Sequence, residues 1–485
     1  MGDPLEARGD LGEVLELALT EARSYLESLD RAPVRDPRGD DVAAAIGGAL
    51  PEQGDGALPA LRELVSYWPA AVRTAGPRFF HFVIGGGTPA ALAADWLASA
   101  LDQPPGVWLA SPLGSRLEQV ALAWLRDLFA LGGDWGGVLT TGATMANFTA
   151  LAAARHWAGE RQGIDVGRAG VSAMPALPIL TSGYFHVSGV KAVSMTGLGT
   201  DNIRRLARDP VGRIDLGELE RELERLGGAP AIVWANAGDV DSGDFDPIDA
   251  MADLAAAHGA WLHVDGAFGL FARTSPSLAP LAAGIERAQS VIADGHKWQN
   301  VPYDCGFAFV RDERHLAAAF GANAPYIPEA TASRPNFAFL GPEMSRRARA
   351  FAVWATLRAY GRDGYRLMVE RHCALAQRVA GQVEASASLE LLAPAKLNVV
   401  CFRAHPRGMD DEQELDRLNS DLGEAIVADG RILFGTTTYL GKTAFRPAIS
   451  NWRTTERDAD LIVAITEELL RERQHAGEAV TQGGA

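Results

Sequence analysis

The chain has 485 residues, 47% of them hydrophobic, with a formal net charge of −16 and a sequence pI near 5.1. That length is too great for one compact core and predicts two or more subdomains, while the acidic balance, with no basic run interleaved with aromatics, excludes nucleic acid as a partner. No apolar run approaches the roughly 20 residues of a membrane span, Met1–Leu15 has no basic segment followed by an apolar stretch, and Cys305, Cys373 and Cys401 offer no CxxC pair or metal-ligand spacing, so a water-soluble cytoplasmic protein without membrane, disulfide or metal is expected.

The first 75 or so residues are polar and broken by Pro33, Pro37, Pro51 and Gly54–Gly56. They predict an N-terminal arm (1–75) with helical stretches near Leu11–Leu29 and Leu58–Val72. From about Gly76, short apolar segments alternate with Ala/Leu-rich helices, the pattern of an α/β layer with a mostly parallel sheet. Strands are predicted at Gly137–Thr141, Ile179–Ser182, Ala231–Ala235, Trp261–Asp265, Ser290–Asp294 and Gly306–Val310, within a large domain (76–343). Asp246-Pro247 is expected to open a helix reaching about His258, the acid as cap and the proline in the first turn. Gly321–Gly341 is proline-rich with few periodic apolars and should be a long loop, a length often kept for function. Met344–Tyr360 then places Ala348, Phe351 and Ala355 on one helical face and leads into a smaller C-terminal domain (344–485). Thr455–Asp458 resembles a capping arrangement before Leu461–Leu470.

Four of these segments carry candidate chemistry. Only four lysines exist, Lys191, Lys297, Lys396 and Lys442, so chemistry requiring a primary amine has few places to go. In Ser290-Val-Ile-Ala-Asp-Gly-His-Lys-Trp298, an apolar strand ends in a turn displaying Asp294, His296 and Lys297, where an α/β sheet opens its ligand crevice. Trp261-Leu-His-Val-Asp265-Gly-Ala267 puts a carboxylate at another strand end, followed by small residues that admit a flat ring. An amine that forms a Schiff base and a carboxylate that keeps a pyridine nitrogen protonated are the two groups pyridoxal 5'-phosphate (PLP) requires. Gly136–Leu151 reads as strand, small-residue turn and helix, whose N-terminus suits a phosphate with the Thr144 hydroxyl assisting. His186 lies on a turn before a helix and could stack on the ring. Each segment alone also has an ordinary reading: a solvated lysine, an acid capping its turn, a simple glycine turn, a hydrogen-bonded core histidine.

Together, from about Pro77 to Asp458, the segments resemble the group II PLP-dependent amino-acid decarboxylases. The Asp-Gly-His-Lys-Trp string with Val301-Pro-Tyr-Asp-Cys-Gly306 carries most of the resemblance, helped by Pro77-Arg-Phe-Phe80, Ala110-Ser-Pro112 and Leu117-Glu118. The resemblance implies a type I PLP-dependent transferase fold, like that of aspartate aminotransferase, in a homodimer with active sites at the interface. It implies Lys297 as the cofactor lysine, Asp265 on the pyridinium, His186 and Ala267 on the two ring faces, and Ala143, Thr144, His296 and Asp294 around the phosphate. It also implies Arg446 on the substrate carboxylate and Tyr326 as a loop tyrosine that delivers a proton. Phe82 and Trp108, with Phe79 and Phe80, fall in segments that border the substrate pocket in such enzymes. The expected activity is therefore decarboxylation of an L-amino acid, hydrophobic or aromatic, to the amine. A carbon-carbon lyase, an aldehyde synthase on the same scaffold and a non-catalytic interaction protein stand as alternatives. Two departures are Asp239, where relatives more often carry threonine, and Phe82-Val-Ile-Gly85, less aromatic than the corresponding segment of aromatic amino-acid decarboxylases. An acid at 239 could alter the field at the cofactor or merely face solvent.

Overall fold

Five of the strands predicted from apolar runs are buried almost throughout, as strands covered on both faces must be. The computed structural model describes residues 9–322 and 325–483. Its larger sheet contains β1 (Gly136–Thr140), β2 (Ile179–Thr181), β3 (Ile203–Arg205), β4 (Ile232–Asn236), β5 (Trp261–Asp265), β6 (Ser290–Asp294) and β7 (Gly306–Val310) in the order β1-β7-β6-β5-β4-β2-β3. All neighbours are parallel except β7, which runs backwards between β1 and β6. The carboxyl ends of the parallel strands therefore gather on one edge, and the reversed β7 begins there, with Gly306 paired to both Thr140 and Asp294.

A second, antiparallel sheet is made of β8 (Leu389–Leu391), β9 (Phe402–Ala404), β10 (Thr436–Tyr439) and β11 (Lys442–Phe445), ordered β10-β11-β9-β8. Its core packs Phe402, Phe434 and Phe445 against helices Glu412–Asp429 and Glu456–Gly483. Phe80 belongs to this second core although its neighbours lead into the large sheet, and it is fixed by its N–H to the Leu433 carbonyl. The helix Ala350–Ala385 serves both cores. Residues up to Cys373 pack on the large sheet, and Leu375–Val383 pack on the small one.

Several local expectations shift. The helix after Asp246 spans Ile248–Ala257 with Pro247 at the N-cap and no side-chain cap. Asp246 does not cap it because both Asn236 and the Ser182 hydroxyl already donate to its carboxylate from neighbouring strand ends, at 2.8–3.0 Å. The helix expected from Met344 begins only at Ala350 and bends at Gly361, whose φ of 59° is outside helical space. In the arm, the second predicted helix closes at Ser66, Pro69 allowing only a short 3-10 turn beyond it, and a further helix occupies Gly39–Ala45. The Thr455–Asp458 box forms as expected, Thr455 N–H meeting the Asp458 carboxylate at 3.0 Å. Asn323 and Ala324 of the long loop lie outside the described residues.

Candidate active site

The turn after β6 brings Lys297 back over the strand that precedes it. Its Nζ lies 3.0 Å from Asp294 Oδ2 and 5.8 Å above the Phe268 ring. Asp294 is buried, and its other oxygen accepts the N–H of Ala143. His296 Nε2 stands 3.4 Å from that same oxygen. The His296 Nδ1 accepts from Cys305 N–H at 3.3 Å, and the ring stacks on Tyr303 at 4.2 Å. Burial holds this imidazole below its ordinary range, so it is neutral at neutral pH, with Nε2 carrying the hydrogen towards Asp294. Lys191 is exposed on a helix, Lys396 pairs with Asp244 at 2.6 Å, and Lys442 lies on β11 near Glu412. Lys297 is thus the lysine at the carboxyl edge of the sheet.

Beside it, β1 passes through Gly142 into the helix Ala143–Glu160. Gly142 has φ +151°, and a Cβ there would stand 2.9 Å from the His296 ring. Gly306 approaches Gly142 so closely that a side chain on it would meet the Gly142 backbone. With no side chains in the way, the first turn of the helix is open. The N–H groups of Thr144 and Met145 have no acceptor within the helix, and the half-buried Thr144 hydroxyl is beside them. This is a cradle for an anion of phosphate size.

Asp265, at the end of β5, is 8% exposed. Ala267 N–H donates to its Oδ1 at 3.1 Å, and Asn147 Nδ2 donates to its Oδ2 at 2.9 Å. Asn147 Oδ1 lies 2.9 Å from His263 Nε2, His263 Nδ1 lies 2.8 Å from Ser290 Oγ, and Trp261 Nε1 donates to that hydroxyl at 2.8 Å. Complete burial pushes His263 down to about 3, so it is neutral and has a single hydrogen. Because Asn147 presents its oxygen, the hydrogen is on Nε2, and Nδ1 must accept from Ser290. The donors therefore run in one sense from Trp261 to Asp265, and the carboxylate ends the relay as an acceptor. Sequence reading missed Asn147, His263 and Ser290. Their signal was weak: single polar residues inside an Ala-rich helix and two apolar strands.

His186 caps the helix Val187–Met195, its Nδ1 accepting from Ser188 N–H at 3.2 Å. One edge of the ring is open to solvent. Desolvation lowers its pKa, Lys297 and Arg446 add to that, and Asp265 and Asp241 oppose it. Arg446, 9% exposed, donates to the Val240 carbonyl at 3.3 Å, with Asp241 3.7 Å away. Asp239 does not face solvent. It is buried and accepts from Asp241 N–H, Ser242 N–H and the Ser242 hydroxyl at 2.8–3.1 Å, and burial raises its carboxyl to about 6, with Asp241 adding to the effect.

The segment 79–87 forms the wall behind Lys297. Gly85 N–H bonds the His296 carbonyl at 3.1 Å, and a Cβ on Gly85 would fall inside the Lys297 carbonyl oxygen. Phe82, 59% exposed with φ +60°, has its ring 3.7 Å from that of His81. The structure does not bring Trp108 or Tyr326 to this cluster. Trp108 is tied by its N–H to Asn336 at 3.1 Å, and Tyr326 is 79% exposed. Among the described residues no group of three or more His, Cys, Asp or Glu could hold a metal. A lysine amine, a buried carboxylate with its own donor relay and a glycine-lined cradle, all at one sheet edge, do fit PLP.

Comparison with known proteins agrees with this geometry. The family profile described as "Pyridoxal-dependent decarboxylase conserved domain" matches residues 47–405. An L-2,4-diaminobutyrate decarboxylase of Rhizobium meliloti (strain 1021) is 32% identical, over 93% of this chain and 86% of its own length. An aromatic-L-amino-acid decarboxylase of Bacillus atrophaeus is 29% identical, over 81% of this chain and 79% of its own. The crystal structure of Oryza sativa TDC with PLP and tryptamine superposes with a TM-score of 0.88 at 25% identity, covering 96% of this chain and 98% of the other, and it shares the expected type I PLP fold.

Proposed function

We infer, because this chain belongs to the family of pyridoxal-dependent decarboxylases, that its substrate is a hydrophobic, aromatic-bearing L-amino acid and its product the corresponding amine. The chain is a PLP-dependent carboxy-lyase. The observation that carries the substrate reading is the pairing of an apolar surface with a cation. Phe82 offers an exposed ring on His81, and Arg446 is near enough to depress that imidazole after burial has done so, to about 4. A neutral His81 leaves Arg446 as the positive charge there, suited to a substrate carboxylate beside an aromatic side chain.

Bound PLP supplies an electron sink for the pair left when the carboxylate departs. Lys297 Nζ would anchor the cofactor and would supply the amine that exchanges with the product. Asp265 holds a proton at the ring nitrogen, supported by Asn147. Thr144, Ala143, Asp294 and His296 hold the phosphate end. His186 and Ala267 fix the ring from its two faces. Arg446 would hold and orient the substrate carboxylate, and that orientation would select the bond that breaks. Tyr326, which is not in its own chain's cleft, delivers the proton at Cα from the neighbouring subunit of a homodimer.

A second reading, a diamino acid, is favoured by the 32% identity to the diaminobutyrate decarboxylase and by the Asp241 carboxylate beside Arg446. Release of CO2 from a panel of aromatic, basic and acidic L-amino acids separates the two. The highest kcat/KM is expected on an aromatic member. A maximum on 2,4-diaminobutyrate would transfer the assignment to the second reading, and no release from any member would overturn both.

A further inference from the structure

The chain carries 61 acidic against 45 basic residues, yet one of its clefts is basic. A cavity of about 850 Å³ lies where the arm, the segment leading to Phe79 and the helix Glu456–Gly483 meet, and Arg31, Arg78, Arg431, Arg453 and Arg457 line it against only Asp30 and Asp458. Arg431 is neutralised by Asp429 and Glu468, at 2.8 and 3.1 Å, and Arg453 reaches Asp30 at 3.4 Å. Asp458 is occupied in capping its own helix. Among the described residues, Arg31, Arg78 and Arg457 have no carboxylate within ion-pair distance. Arg78 gives one bond, to the Ala32 carbonyl at 2.6 Å, and its buried Nε has no acceptor. Three guanidinium forks with donors unspent, converging on a cleft the size of a small-molecule site, match the geometry of phosphate.

The cleft is wired to the lysine turn. Trp452, one of its walls, lies under the Arg453 guanidinium at 4.6 Å and donates its backbone N–H to Asn300 Oδ1 at 2.8 Å. Asn300 in turn donates its side chain to the carbonyls of Trp298, at 2.9 Å, and Ser450, at 3.0 Å, and its backbone N–H to the Lys297 carbonyl at 3.2 Å, and it is buried. Trp452 Nε1 also holds the Gly87 carbonyl, at the end of the wall behind Lys297. An anion that draws Arg453 and Arg457 together therefore presses on the residue that fixes both sides of the cofactor lysine.

We propose that this cleft is an effector site for a small molecule carrying two or more phosphate groups, and that its occupancy changes turnover at Lys297. The site is separate from the phosphate cradle at Gly142 and uses none of its residues.

Calorimetric titration of the PLP-loaded enzyme with inorganic pyrophosphate at low ionic strength tests it. Saturable binding is expected, weakened about tenfold or more in Arg457→Gln and further in Arg31→Gln/Arg457→Gln, with both variants retaining normal turnover in the absence of the probe. Both positions are exposed, so folding is not at stake; Arg78→Gln gives a third reading from the inner wall. Saturating pyrophosphate should change kcat or KM of the wild type and leave Arg457→Gln unmoved. Equal binding by wild type and variants would place the anion elsewhere and overturn the site. Tighter binding of citrate than of pyrophosphate would overturn the phosphate assignment, and binding without any effect on turnover would overturn the coupling.

Discussion

A carboxylate can hold a ring nitrogen protonated only while it is aimed at it, and Asn147 Nδ2 is one of the two donors that aim Asp265. Asp265→Asn should retain the cofactor and lose nearly all turnover, because an amide no longer favours the protonated ring. Asn147→Ala should also retain the cofactor, lower kcat by roughly ten- to a hundredfold, the worth of a hydrogen bond to a charged group, and shift the pH at which the visible cofactor band titrates. Full activity in either variant, or an unshifted band in the second, would contradict the relay. Asp239 makes a different prediction. Its carboxyl titrates near 6 in the folded chain against an ordinary value of 3.8, so the proton it keeps favours folding below the ordinary value, and that contribution disappears as pH rises through about 6. Asp239→Asn removes the penalty of ionising there. Its melting temperature should exceed that of the wild type at neutral pH by more than at acidic pH, and a constant difference across that range would count against the assignment. Lys297 and Asp265 were legible because strand-end chemistry is written locally. Asn147 and His263 were not, since the bond joining them spans 116 positions and no local pattern records it.

At the scale of elements, β5, β6 and β7 fell on the residues expected because each is a five-residue apolar run bounded by polar turns. The strands β3, β8 and β9, of three residues each, leave too little periodicity to read. The missed cap at Asp246 has a related cause: a residue suited to one local role was taken by partners 10 and 64 positions away. The described residues of the loop, 321–322 and 325–341, are irregular apart from the 3-10 turn Phe337–Phe339 and short turns, as expected, with Pro325 and Pro328 stiffening the chain around Tyr326. In the proposed role, this tyrosine would decide the fate of the carbon left after CO2 departs, which takes either a proton or oxygen. The wild type should release amine with little oxygen uptake, and Tyr326→Phe should decarboxylate more slowly and yield aldehyde, ammonia and peroxide. Aldehyde from the wild type, or unchanged amine from the variant, would end the proposed role, and an oxygen electrode with product chromatography distinguishes them.

For the whole molecule, one group of exposed apolar side chains falls close together along the chain. Trp96, Leu97 and Leu101 project from the helix Pro89–Leu101, with Leu109 and Leu113 just beyond it. A surface of that kind calls for a partner, and a second copy is the one a homodimer supplies. Light scattering should report twice the 51.6 kDa chain mass, and a stable, fully active monomer would refute the dimer.

The reversal of β7 has a consequence for how the chain comes to be folded. The bond from Ala143 to Asp294 closes a separation of 151 positions, and the bond from Ser450 to Ile84, which pins the wall behind Lys297, closes one of 366. Contacts so distant in sequence carry a large loop-closure entropy and are among the last to form. A ribosome must therefore release nearly the entire chain before the cradle, the lysine turn and their wall can coexist. Cofactor capture is then a signal of completed folding, and by mass action it stabilises only molecules that have reached that point.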